Sequence, residues 1–113
     1  MAPKIVDLAH LSRYTGGDAA LNAEVLRLFD GQANEMVERL QGILDARDAK
    51  SWKEVTHTLK GAARGIGAFP FADAAAAMEP IDPANRDFAE PALAVLVERA
   101  IAVRAFIADY LAA

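Results

Sequence analysis

The fold is read most clearly from the stretch Asp48-Ala49-Lys50-Ser51-Trp52-Lys53-Glu54-Val55-Thr56-His57-Thr58-Leu59-Lys60-Gly61-Ala62-Ala63-Arg64-Gly65-Ile66-Gly67. Within it Trp52, Val55, Leu59, Ala62 and Ile66 recur at steps of three and four, the period of a helix with one apolar stripe. Asp48 can accept the free amides of a helix start, and Asp45-Ala46-Arg47-Asp48 reads as a tight connection leading into it. One such stripe cannot bury itself, so other elements must cover it.

Working toward the N-terminus, Leu21, Val25, Leu28, Phe29, Met36, Leu40, Ile43 and Leu44 repeat the same period behind an expected Asp18 N-cap, giving a long helix with a bend expected near Gly31. Residues 1–14 form a lead-in with Ile5, Leu8 and Leu11 at helical spacing, broken by Thr15-Gly16-Gly17. Toward the C-terminus, Pro70 stops or restarts the chain and a nearly all-alanine helix follows over about 71–79, with Ala74 to Ala77 expected at a close helix contact. After a loop from Pro80 to Pro83, Asp87 and Glu90 have capping-box spacing, and Phe88, Ala92, Leu96, Ala100, Val103, Ile107 and Leu111 extend one stripe to the terminus. Four substantial helices with short connections predict an all-α single domain over 1–113: an antiparallel up-and-down four-helix bundle capped by the short N-terminal helix.

Composition agrees with helices. Alanine, the strongest helix former, supplies 26 of 113 residues, against 16 for Val, Ile and Thr together. Twelve basic residues against 16 acidic ones give a net charge of -4, which argues against nucleic acid, whose binding needs a basic face. The absence of cysteine excludes a disulfide scaffold and thiolate metal sites, and His10 and His57 are too far apart in sequence to suggest a local metal motif. His10 reads as a surface residue. No apolar run approaches the ~18 residues of a membrane helix, and the N-terminus lacks a signal-peptide core, so the expectation is a soluble cytoplasmic protein with no membrane partner.

At helical periodicity His57 falls about 200° from Val55 and from Leu59, on the face opposite the buried stripe. Its neighbours there are Lys53, Glu54, Lys60, Gly61, Arg64 and Gly65. Helical side chains lean toward the N-terminus, so the residue able to cover His57 is Gly61, which has no side chain. Each interior glycine costs about 0.5–1 kcal/mol relative to alanine, and an alanine-rich chain places three within this stretch. Something large must therefore approach His57, beside the positive charge of Lys60. A phosphoryl group suits both, because neutral imidazole is nucleophilic and an ammonium stabilises phosphoryl oxygens.

The run His57-Thr58-Leu59-Lys60-Gly61-Ala62-Ala63-Arg64-Gly65-Ile66-Gly67-Ala68 resembles the H-x-L-K-G-x-x-x-x-x-G-A signature of histidine-containing phosphotransfer (HPt) domains. Asp7-Leu8, Thr15-Gly16-Gly17-Asp18 and the helix order extend the resemblance along the chain. It implies that His57 takes a phosphoryl group from the aspartyl phosphate of one receiver domain and passes it to another, in a multistep His–Asp relay fed by a hybrid sensor kinase. Lys60 would steady the phosphoryl oxygens, Gly61 would give the receiver clearance and Gly67 would allow close packing. Lys53, Glu54, Arg64 and Gly65 would join Gly61 in receiver docking. Glu79, 22 residues after His57, holds the place where many members carry an acid or amide that orients the imidazole; a solvated carboxylate beside Pro80 is the other reading. Arg64 departs from the small residue usual there, and is either a selector of partners or a solvated arginine.

The resemblance further implies a monomeric phosphocarrier, not an enzyme with turnover, with no cofactor of its own; Mg²⁺ belongs to the receiver. Gly61 to Gly67 lacks the order of a phosphate-binding loop, which argues against nucleotide binding. Thr58 stands where sensor-kinase phosphoacceptor domains normally carry an acid. The alternative from another class is a non-catalytic adaptor bundle that docks receivers without carrying phosphate.

Overall fold

The computed structural model describes residues 4–113, so the first three residues of the lead-in lie outside it. The described chain is all-α, with five helices: α1 (Leu8–Thr15), α2 (Ala19–Asp45), α3 (Ala49–Ile66), α4 (Phe69–Met78) and α5 (Arg86–Ala112). Helices α2, α3, α4 and α5 touch in a closed circuit, α2 against α3 and α5, and α4 against α3 and α5, while α1 leans on α2 and α3. A 27-residue helix is about 40 Å long, so α2 and α5 account for most of the 43 Å long axis.

Three caps explain where helices start. Asp7 accepts the amides of Ala9 and His10, Asp18 that of Leu21, and Asp48 that of Ser51, each satisfying donors that a helix start leaves free. Hydrogen bonds from Ser51, from its side chain first and its amide second, hold the Asp48 carboxyl below its usual value. Helix α4 starts earlier than expected, at Phe69, because Pro70 lies in the first turn, where its missing N–H is not needed. The capping box at α5 does not form: Asn85 is the N-cap, without a side-chain bond, and Glu90 instead takes the guanidinium of Arg86, which also reaches Asp45.

The core seams keep most of the expected stripes and depart from them at a few positions. In α2 the buried line is Asn22, Leu26, Phe29, Ala33, Leu40 and Leu44, leaving Leu21 exposed and Leu28 60% exposed. Asn22 tolerates burial because Thr15 and Ser12 engage its amide, which also latches α1 to α2. The helix is continuous through Gly31. In α5 Leu96, Val103 and Ile107 of the expected stripe are buried and Ala92, Ala100 and Leu111 pack against the core, but at its start Ala89 and Leu93 take the buried places and Phe88 is 65% exposed. In α4 Ala74 and Ala75 are buried but Ala77 is exposed. Ile5 is exposed ahead of α1 while Val6 enters the core. His10 is half-buried, not a free surface residue, with its ring edge-on to Tyr14 and Phe69. Trp52 and Phe71 are the largest buried side chains, and Phe71 meets Phe29 edge to face.

Candidate phosphoacceptor site

His57 lies on the outward face of α3, and its side chain is 68% exposed. Val55, Thr56 and Leu59 around it are buried, so the helix itself is fixed while the imidazole points out. The imidazole Nδ1 is 2.8 Å from Oε1 of Glu79, the residue that ends α4. The other carboxylate oxygen, Oε2, accepts from the Lys60 ammonium at 2.6 Å. Glu79 and Lys60 are 20% and 19% exposed, so one carboxylate in a half-sheltered cleft bridges both partners.

The protonation of this bridge has a definite direction. The Lys60 ammonium first, and the His57 ring second, hold the Glu79 carboxyl below its usual value of 4.5, against a smaller opposing effect of burial. An ionised carboxylate only accepts, so the neutral imidazole must present Nδ1–H to it, which leaves the lone pair on Nε2. Nε2 has no hydrogen-bond partner among the described residues. Lys60 is committed to Glu79 instead of lying free over the imidazole, but an ammonium has three donors and two remain for another ligand.

The surroundings divide cleanly into glycines the fold requires and glycines it does not. A Cβ placed on Gly61 or Gly65 would meet nothing within 4 Å. A Cβ on Gly67 would stand 2.6 Å from the carbonyl oxygen of Asp7, and the residue caps α3 at φ +80. Here the chain passes so close that the Asp7 amide donates to the Gly67 carbonyl at 2.9 Å. Thus packing and backbone geometry explain Gly67, whereas the folded chain itself gives no reason for Gly61 or Gly65.

Beside His57 lies an open groove of about 450 Å³ lined by Lys50, Lys53, Glu54, His57 and Glu79. Lys53, Glu54, Gly61, Arg64 and Gly65 are all exposed on the same helix as His57. Lys50 was not singled out from the sequence, although it precedes His57 by seven residues, two helical turns, and therefore shares its azimuth. Among the described residues, no group of three or more His, Cys, Asp or Glu converges to hold a metal, and no helix is long and apolar enough to cross a membrane.

Comparison with curated proteins yields no match. A model of the Hpt domain matches residues 24–111, which takes in α3, α4, most of α2 and nearly all of α5. The chain therefore belongs to the Hpt domain family, the histidine phosphotransfer domains that work with receiver domains in two-component phosphorelays.

Proposed function

We propose that residues 1–113 form one Hpt domain, an antiparallel up-and-down four-helix bundle with α1 as cap, that shuttles a phosphoryl group between receivers through His57. The observation that carries this reading is the outward imidazole whose Nδ1 is engaged by Glu79, leaving Nε2 free in a region where Gly61 and Gly65 add no obstruction. The Nε2 lone pair attacks the phosphorus of a receiver's aspartyl phosphate. An N–P bond forms, the aspartyl O–P bond breaks, and its electron pair returns to the receiver's carboxylate. The Nδ1 proton stays against Glu79, whose negative charge stabilises the phosphoimidazolium, and the reverse step on a second receiver restores the neutral ring. Lys60 offers its two unspent donors to the phosphoryl oxygens.

Receivers dock over Lys53, Glu54, Gly61, Arg64 and Gly65, bringing the Mg²⁺ their own chemistry uses; this chain contributes no cofactor. Its phosphoryl group originates in a hybrid sensor kinase, and it acts as a monomeric, stoichiometric carrier in the cytoplasm, not as a turnover enzyme. Comparing phosphoryl uptake with receiver binding for wild type and His57→Gln tests this: a carrier loses uptake and keeps binding on substitution. A protein that binds receivers yet takes up no phosphoryl group even as wild type is an adaptor.

A further inference from the structure

We infer that Trp52 is a positioning residue for the His57–Glu79 pair, acting through the carbonyl of Met78, an inference that rests on the phosphocarrier reading above. Trp52 is 1% exposed in the first turn of α3, and its indole Nε1–H donates to the Met78 carbonyl across the α3–α4 contact at 2.9 Å. The next residue in the chain is Glu79.

The end of α4 needs such a tether. Glu79 follows the helix in the right-handed conformation, without the left-handed glycine that locks many helix ends, and Pro80 has no N–H to give. What remains within the chain is the Glu79 amide to Ala76 and the Ile81 amide to Met78, both local turns that can shift with the α4 end. The indole bond fixes the backbone of this end to the helix that carries His57, which the Lys60–Glu79 bridge reaches only through side chains. Trp52 precedes His57 by five residues on one rigid helix, so the anchor of the carboxylate and the imidazole it must meet move together. Filling the core is a separate matter: an apolar ring of similar size would do that. The N–H is not needed to satisfy Met78 either, whose carbonyl already accepts from Ile81 at 3.0 Å.

The test removes the N–H while keeping a ring. Trp52→Phe, and separately 3-benzothienylalanine at position 52, which replaces N–H with sulfur in an otherwise matching bicycle, are compared with wild type in native and Glu79→Ala backgrounds. Two readouts are taken: the His57 tautomer ratio from imidazole ¹⁵N shifts, and the rate of uptake from a phosphorylated receiver. With Glu79 present, the tautomer ratio should move toward that of Glu79→Ala and uptake should slow by about three- to tenfold, the scale of losing one aligned hydrogen bond. With Glu79 removed, the same change at position 52 should have no further effect. An unchanged ratio and rate, or equal slowing in both backgrounds, overturns the inference. Should Trp52→Phe fail to fold, the benzothienyl variant decides. If wild type accepts no phosphoryl group, the phosphocarrier reading falls, and the tautomer ratio alone still decides whether Trp52 positions the pair.

Discussion

Glu79 sits between His57 and Lys60, with one carboxylate oxygen 2.8 Å from the imidazole Nδ1 and the other 2.6 Å from the ammonium. Two residues on α3, three apart and on neighbouring azimuths, are thus joined through a residue of another helix. Replacing Glu79 with alanine should shift the His57 tautomers toward the mixture of free imidazole and slow phosphoryl uptake by about tenfold, the lower end for a charge-assisted bond because water can partly substitute at this exposed ring. Imidazole ¹⁵N shifts and stopped-flow transfer check the two effects, and an unchanged ratio with an unchanged rate would contradict the orienting role.

The same bridge makes a prediction about acid. A carboxyl held below its usual value on folding binds its proton less readily in the folded chain, so its contribution to stability is present above about pH 4.5 and is lost as pH falls through its folded value. The stability difference between wild type and Glu79→Gln, measured by urea denaturation, should therefore shrink between about pH 6 and about pH 3. A difference that stays constant or grows on acidification would show that the carboxylate is not held by Lys60 and His57.

Gly61 and Gly67 should respond in opposite ways to alanine. At Gly61 the added methyl meets nothing, so Gly61→Ala should stabilise the fold by about 0.5–1 kcal/mol while slowing transfer, because the methyl stands beside the approach to His57. At Gly67 a positive φ and the Asp7 carbonyl should make alanine cost about 1–3 kcal/mol, with the folded fraction still transferring normally. Denaturation midpoints and transfer rates measured on both variants decide; a Gly61→Ala protein that transfers at the wild-type rate removes the argument for clearance.

Arg64 is exposed on α3 with no side-chain partner among the described residues. Receiver active sites are acidic, so Arg64→Ala should weaken binding to some receivers by about two- to fivefold and spare others, with the spread narrowing at high salt. Titration against several receivers at two ionic strengths tests this, and an affinity profile identical to wild type returns Arg64 to a solvated arginine.

Some of these features can be read from the sequence and others cannot. The exposure of His57 was legible because azimuth on a helix follows from counting, and the starts at Asp18 and Asp48 were legible because a cap is local chemistry. Most of the α2 and α5 stripes were legible too, Phe29, Leu40 and Leu44 and then Leu96, Val103 and Ile107, but apolar residues occupy more than one face, and Leu21, Leu28 and Phe88 look like core residues until packing selects Ala33 and Ala89 instead. Asn22 was missed as an interior residue, since its burial depends on Thr15 and Ser12 from another helix. Glu79 could be named only through family spacing, and its bond to Lys60 was not legible at all, because it depends on how α4 ends against α3. The Trp52 tether belongs to the same class of long-range facts.

The most direct measurement is ³¹P and ¹⁵N NMR of the protein after incubation with a phosphorylated receiver and Mg²⁺, on wild type and on His57→Gln. An acid-labile, alkali-stable N–P linkage at Nε2 of His57 is expected in wild type and none in the variant; a phosphoryl group on Nδ1, on another residue, or absent while the receiver still binds would contradict a His57 phosphocarrier.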